Sequence, residues 1–149
     1  MKSIVMACAA LGVLLSAAAR AEAQEVRVTV TGVEARGGQI LASLQTEDQF
    51  MQPRGAYGIQ QTAPTADGAV TMTFSNVAPG AYALSVLHDA NGDYQMQRQA
   101  NGRPLEGWAM SHGEAVAALH AAPSFAVASF DVAAAPVSLT EPMIYPAGQ

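Results

Sequence analysis

The sequence is poor in the residues that usually reveal a function. Charged residues make up 13% of its 149 residues and aromatic residues 6%, with one tryptophan. The one cysteine, Cys8, and the one lysine, Lys2, both lie near the N-terminus. With 12 acidic against 7 basic residues, the chain has a formal net charge of −5. This mildly acidic composition argues against nucleic acid or an anionic membrane surface as its partner.

The first 23 residues have the order of a secretory signal peptide. A positive start at Lys2 precedes an uncharged apolar run over residues 4–19, and an A-x-A cleavage site follows at residues 21–23. The run is shorter than the roughly 20 residues that a membrane-spanning helix needs. We therefore expect residues 1–23 to be cleaved on export, without membrane insertion of the mature chain.

Cleavage would leave a mature chain, residues 24–149, with no cysteine and no lysine. Such a chain cannot use disulfides or thiol chemistry. An exported chain without disulfides indicates a bacterial periplasmic or secreted protein rather than a disulfide-stapled miniprotein. The mature length is enough for one domain that buries a core of its own.

Four segments of the mature chain alternate apolar and polar residues, as strands with one buried face do. Their inward positions are Val26-Val28-Val30, Ile40-Ala42-Leu44, Val70-Met72-Phe74 and Tyr82-Leu84-Val86-His88. A last strand is predicted over residues 137–145, where Pro142 requires a sheet edge or a bulge. Residues 47–68, which contain prolines and several glycines, are predicted to be irregular.

No segment has the period of a helix of ordinary length. The alanine-rich stretch over residues 113–122 fits either a short helical turn or a mobile loop, and Ser124 could cap a single turn before Phe130. Short strands separated by turns, each with one apolar face, predict an all-β fold. We expect a single antiparallel β-sandwich of about seven strands.

The polar loop after the fourth strand has the spacing of a cation-binding loop. Oxygen-bearing side chains alternate at Asp89, Asn91 and Asp93, which is how a loop can wrap calcium. The pattern then fails, because Tyr94 stands where the loop needs a bending glycine and Ala100 where it needs a carboxylate. Weak calcium binding at Asp89, Asn91 and Asp93 is one hypothesis, and a solvated polar turn is the alternative.

The histidines offer little support for catalysis or for a transition metal. His88 shares the buried face of its strand, where a structural hydrogen bond is the alternative to a hydrolase centre formed with Asp89 and Glu106. His112 and His120 show no short ligand spacing for zinc or copper. No nucleophile elbow, P-loop or H-E-x-x-H motif is present.

Two further residues are candidates for a site. Ser111 precedes a histidine, but adjacency in sequence does not make a catalytic dyad, because the base must reach the nucleophile across the fold. Trp108 is a candidate platform for a carbohydrate or another ligand. Its structural alternative is to cover the open end of the sandwich.

Several of these segments together resemble a bacterial family of unknown function, DUF2141. The matching elements are Pro79-Gly80-x-Tyr82, His88-Asp89-x-Asn91-Gly92, Gly102-x-Pro104-x-Glu106-Gly107-Trp108-x-Met110-Ser111, Pro123-Ser124-Phe125, Phe130 and Ile144-Tyr145. The resemblance implies an exported immunoglobulin-like or prealbumin-like sandwich, and it implies no established activity, substrate or partner. Family loops usually have Gly and Asp where this chain has Tyr94 and Gln97, which weakens any metal role here.

The absence of a catalytic motif favours a non-catalytic binding or structural module of the cell envelope. Its partner would be an envelope protein or a small ligand, and we expect no cofactor. Two alternatives remain open. One is a weak calcium-binding sandwich, and the other is a small hydrolase centred on His88, Asp89 and Glu106.

Overall fold

The structure, a computed structural model, describes residues 22–119 and 121–146. Most of the predicted signal peptide, residues 1–23, lies outside the described residues, and so does His120. The described residues form eight strands, two short α-helices and one 3₁₀ turn (Glu47–Gln49). The strands and α-helices are β1 (Gln24–Val33), β2 (Gln39–Gln45), β3 (Tyr57–Thr62), β4 (Gly68–Val77), β5 (Gly80–Asp89), β6 (Gly107–Met110), α1 (Gly113–Ala118), α2 (Phe125–Ala128), β7 (Ser129–Val132) and β8 (Val137–Pro142).

The strands form two sheets, and this confirms the predicted all-β sandwich. The three-stranded sheet has the order β4-β1-β8, and the other sheet contains β3, β2, β5, β6 and β7. Along one edge of β5, β7 pairs with residues 80–83 and β6 with residues 85–88. One pair departs from the antiparallel expectation, because β1 and β8 run parallel. Nearly the whole domain separates these two strands, so no hairpin fixes their relative direction.

The alternating segments bury the faces that the sequence predicts. The valines at 26, 28 and 30 are fully buried, as are Ile40 and Leu44 on β2 and Leu84 on β5. These side chains meet between the sheets in one apolar core. Pro142 lies at the end of β8, which is an edge strand, as its missing N–H requires.

Part of the predicted irregular region is a strand. Residues 57–62 form β3, which pairs with β2 and is, among the described strands, an edge strand of its sheet. The apolar residues of β3 are Tyr57 and Ile59, both half-buried, while Gln60 and Gln61 are exposed. An edge strand with so little buried surface carries a weak alternation signal, which is why the pattern missed it.

The two helices cover part of the outer face of the larger sheet. Residues 113–118 form α1, so this part of the alanine-rich stretch is helical. Ser124 is the N-cap residue of α2, although its side chain makes no capping hydrogen bond. A second apolar cluster lies under both helices, made of Ala83, Met110, Val116 and Ala128 with the partly buried Phe50, Trp108, Phe125 and Val127. A helix long and apolar enough to span a bilayer does not occur among the described residues.

Candidate functional site

Asp89, the last residue of β5, is buried at the base of the loop that begins at Ala90. One carboxylate oxygen, Oδ1, accepts hydrogen bonds from the backbone N–H groups of Gly92 (2.8 Å) and Asp93 (3.1 Å). The other, Oδ2, accepts from the Tyr94 N–H (3.0 Å) and from Gln39 Nε2 (2.7 Å). Four donors fill the acceptor positions of a carboxylate. Asp89 therefore folds the loop back over the end of its own strand.

The other two predicted calcium ligands are also engaged within the loop. Asn91 donates from Nδ2 to Asp93 Oδ2 (3.1 Å) and accepts from the Asp93 N–H (3.0 Å). Asp93 accepts from the Gln95 N–H (2.9 Å) and from Gln97 Nε2 (2.8 Å). These hydrogen bonds, the Gln95 N–H first, lower the pKa of Asp93 below its usual value. The described residues contain no group of three or more His, Cys, Asp or Glu side chains that could hold a metal ion.

His88 points to the opposite face of the sheet from Asp89, because neighbouring residues of a strand alternate. It is 1% exposed, its Nε2 lies 2.9 Å from the Gly37 carbonyl, and its Nδ1 lies 2.7 Å from the Tyr145 hydroxyl. A carbonyl only accepts, so Nε2 carries the proton and Nδ1 accepts from Tyr145. The Tyr145 oxygen in turn accepts the Glu34 N–H at 2.9 Å. His88 thus holds two loop segments to the sandwich.

Tyr145 packs tightly at this end of the molecule. Its ring meets the His88 imidazole edge to face, with centroids 5.8 Å apart, and the Arg36 guanidinium lies 4.4 Å from the ring centroid. Burial raises the pKa of the Tyr145 hydroxyl. A Cβ added at Gly107 would overlap the tyrosine ring, so a glycine is required there for close packing. The segments around Gly107 and Tyr145 therefore meet in space.

Glu106 lies on the loop side with Asp89 rather than with His88. Its Oε2 accepts the Gln97 N–H at 3.2 Å. Burial is the main cause that raises its pKa, and the charges of Asp89 and Asp93 raise it further. The three residues of the hydrolase hypothesis therefore belong to two hydrogen-bond networks. His88 is joined to Tyr145, while the two carboxylates accept N–H groups of the loop.

Ser111 and Trp108 have structural contacts. Ser111 is fully buried, its hydroxyl donates to the Ala128 carbonyl, and it accepts the Leu84 N–H at 2.8 Å. Trp108 is half-buried in the second apolar cluster on the outer face, rather than over an open end of the sandwich. Its backbone exchanges hydrogen bonds with Ile144, 2.9 Å and 2.7 Å long.

Sequence patterns missed one further buried acid, Glu141. Its Oε1 accepts the His112 N–H at 3.0 Å and its Oε2 the Gly113 N–H at 2.9 Å, so it caps the first turn of α1. The signal was present, because an acid interrupts the apolar alternation of the last strand. Among the described residues, every buried side-chain nitrogen or oxygen has a hydrogen-bond partner.

The chain matches a known protein family over most of its length. Residues 28–140 match the family described as an uncharacterized protein conserved in bacteria (DUF2141). Neither the curated proteins nor the solved structures give a match. The matched span runs from β1 into β8 and includes the His88–Asp89 pair, Gly107 and Ser111. It covers well over half of the sequence, and the chain belongs to the DUF2141 family.

Proposed function

We propose that this protein is an exported, non-catalytic β-sandwich module of the bacterial cell envelope that presents a polar surface to a ligand or partner. One observation carries the proposal. Three polar side chains that the sequence singles out are held in hydrogen bonds within the fold. These are His88 with Tyr145 and Gly37, Asp89 with the loop after β5, and Ser111 with Ala128 and Leu84.

A catalytic group needs an atom directed at the substrate. A general base must offer a lone pair, and a serine nucleophile must give its proton to a base. The Ser111 proton goes to a backbone carbonyl, which cannot act as that base. Both nitrogens of His88 are engaged inside the sandwich. These contacts support a scaffold role for the two residues that a hydrolase would use first.

The proposal of export rests on the leader-like sequence and on a mature chain without cysteine. Cell fractionation followed by mass measurement tests it. We expect the protein in the periplasmic or secreted fraction, with a mass that corresponds to removal of residues 1–23. A full-length protein in the cytoplasmic fraction would overturn this part of the proposal.

The non-catalytic part is tested by the stability of Ser111→Ala. Removing the hydroxyl leaves the buried Leu84 N–H without its acceptor and the Ala128 carbonyl without this donor. The unfolding free energy should therefore fall by about 1–3 kcal/mol. Ser138→Ala, at an exposed position of β8, is the matched control. Replacing catalytic residues often leaves stability unchanged or raises it, because active sites are strained. Unchanged or increased stability of Ser111→Ala would therefore favour an enzyme.

Calcium binding at Asp89, Asn91 and Asp93 stays a prediction. The described residues contain no group of three or more His, Cys, Asp or Glu side chains that could hold the ion, and the oxygens of Asp89 already accept four hydrogen bonds. Binding would require Asp89 to exchange at least some of its four N–H donors for the ion. Melting with calcium and with chelator, described in the Discussion, distinguishes the two candidates.

A further inference from the structure

The outer face of the larger sheet is covered unevenly. Around β6 and β7 it is packed under α1 and α2 by the second apolar cluster. Near β3 it has an open cleft of about 500 Å³. This glutamine cleft is lined by Gly38, Gln39, Gln60, Gln61, Thr62 and Gly92. Its lining contains three amides and one hydroxyl, and no charged side chain.

One part of the cleft is fixed by the buried Asp89. Gln39 lies between Thr62 and Asp89 in the sheet register, and residues directly opposite share a face. Gln39 donates from Nε2 to Asp89 Oδ2 at 2.7 Å, which sets the direction of its amide. Its Oε1 then accepts from Gln60 Nε2 at 2.6 Å. The carboxylate that folds the loop therefore also orients the two glutamines of the cleft floor.

Other polar groups of the cleft are free to meet a ligand. Gln60 uses its nitrogen for Gln39 and Tyr94, and within the described residues its Oε1 accepts no hydrogen bond. The exposed Thr62, which lies opposite Gln39 on the same face, likewise offers a hydroxyl that can donate and accept. These groups contrast with His88, Asp89 and Ser111, which are all engaged. The cleft thus presents donors and acceptors.

Tyr94 contacts Gln60 at the rim of the cleft, and its backbone has a conformation that a tyrosine rarely adopts. Its φ is 62°, in the left-handed region, which costs a residue with a Cβ about 1–2 kcal/mol and a glycine little. The Asp89 carboxylate holds this conformation through the Tyr94 N–H. The side chain is 57% exposed, and its hydroxyl accepts from Gln60 Nε2 at 3.1 Å. A strained position that displays an aromatic ring points to a role in binding.

We propose that the glutamine cleft binds a neutral saccharide, with Tyr94 as the stacking residue. Sugar hydroxyls both donate and accept hydrogen bonds, so they can donate to Gln60 Oε1 and pair with the Thr62 hydroxyl. The apolar C–H face of a pyranose ring can pack on the exposed tyrosine ring. The buried charge of Asp89 and the nearby Asp93 oppose an anionic ligand, and the amide lining opposes an apolar one. This inference rests on the proposed function, because an exported envelope module would meet such sugars.

Nuclear magnetic resonance titration of the mature protein tests the proposal. The probes are three neutral tetrasaccharides, namely those of β-1,4-linked N-acetylglucosamine, β-1,4-linked glucose and α-1,4-linked glucose, with tetragalacturonate as the anionic control. We expect at least one neutral sugar to shift the amide signals of residues 60–62 and 92–94, and tetragalacturonate to leave them unchanged. A shift pattern centred elsewhere in the domain would overturn the site. So would stronger binding of the anionic sugar at these residues.

Two glycine variants isolate the role of the aromatic ring. Tyr94→Gly relieves the left-handed strain and should keep the fold, yet weaken sugar binding about tenfold or more, which is about 1.4 kcal/mol. Met51→Gly is the matched control, because Met51 is also exposed at a φ of 61° but does not line the cleft. It should leave the dissociation constant unchanged. Equal affinity of Tyr94→Gly and the wild type would overturn the stacking role.

The same samples separate the failure of this site from the failure of the proposed function. Chromatography of each sugar after incubation shows whether it has been cleaved. Sugar that binds at the cleft and is hydrolysed would contradict the non-catalytic module and support the cleft. No signal change with any neutral sugar at about 10 mM, where a site of about 1 mM would be mostly filled, would overturn the cleft and leave the non-catalytic module standing.

Discussion

His88 and Tyr145, 57 positions apart in the sequence, are joined by a 2.7 Å hydrogen bond between Nδ1 and the phenolic hydroxyl. His88 belongs to the larger sheet, and Tyr145 follows β8, an edge strand of the smaller one. The bond therefore holds the segment after β8 to the larger sheet, where the backbone of Ile144 is also bonded to Trp108. The second nitrogen of His88 holds the Gly37 carbonyl, so the loop between β1 and β2 is attached at the same point.

Tyr145→Phe tests this link with the smallest possible change. Loss of the hydroxyl leaves His88 Nδ1 and the Glu34 N–H without their partner, at a cost of about 1–3 kcal/mol in unfolding free energy. Chemical denaturation measures it. Tyr94→Phe is the control, since its hydroxyl is exposed and water can replace it, and it should change stability by less than about 0.5 kcal/mol. Equal effects of the two variants would contradict the proposed link.

Gly107→Ala tests the close packing of β6 against Tyr145. The new methyl group would overlap the tyrosine ring, so either the ring or the strand must move, and overpacking of this kind costs about 1–3 kcal/mol. Gly58→Ala, on the edge strand β3, has open space around its Cβ and serves as the control. Thermal melting of both variants should show a clear loss of stability for Gly107→Ala alone. A neutral Gly107→Ala would show that the ring does not pack there.

Glu141→Ala should loosen α1 without unfolding the sandwich. The substitution removes the acceptor for the His112 and Gly113 N–H groups and should cost about 1 kcal/mol, typical of a lost cap. Hydrogen exchange should accelerate at these two amides and in α1. Glu114→Ala, at an exposed position in the first turn of the helix, is the control. Unchanged exchange at His112 and Gly113 would contradict the capping role.

Glu106 gives the domain a defined pH dependence. Its pKa is raised in the folded state, so the folded protein keeps this proton at pH values where the unfolded chain has lost it. Stability from this group is therefore present below the usual glutamate pKa and is lost as pH rises through the raised value. Glu106→Gln should remove that decline from a plot of unfolding free energy against pH. If the decline of the wild type persisted in Glu106→Gln, another titrating group would be its cause.

The sequence was sufficient to predict four strands of the two sheets. The alternation of apolar and polar residues in β1, β2, β4 and β5 reflects which face of each strand is buried. It was less informative for β3, whose exposed edge needs few apolar residues. It could not show that Glu141 caps α1, since that contact joins elements 28 residues apart. Long-range polar contacts leave no periodic trace in a sequence.

The loop after His88 shows why spacing alone does not define a metal site. Side-chain oxygens at Asp89, Asn91 and Asp93 suit a cation only if they converge on one point. Here the successive N–H groups of Gly92, Asp93 and Tyr94 are directed at Asp89, and the carboxylate accepts them instead. The same alternation of oxygens thus serves a hydrogen-bonded turn.

Calcium melts decide between this turn and a cation loop. We expect the melting temperature of the mature protein to be the same with calcium and with chelator, because the oxygens of Asp89 are already engaged. A ligand that binds only the folded state, present at about 100 times its dissociation constant, would add about 2.7 kcal/mol. A calcium-dependent rise that Asp93→Asn abolishes would establish the cation loop.

The unfolding free energy of Asp89→Asn tests the central claim most directly, namely that the buried polar residues His88, Asp89 and Ser111 hold the fold. Asparagine would place its own amide N–H groups against N–H groups whose hydrogen bonds Asp89 now accepts. We therefore predict that the unfolding free energy falls by about 2–4 kcal/mol. Asp131→Asn, at an exposed position of β7, should stay within about 0.5 kcal/mol of the wild type. An Asp89→Asn variant as stable as the wild type would contradict the claim.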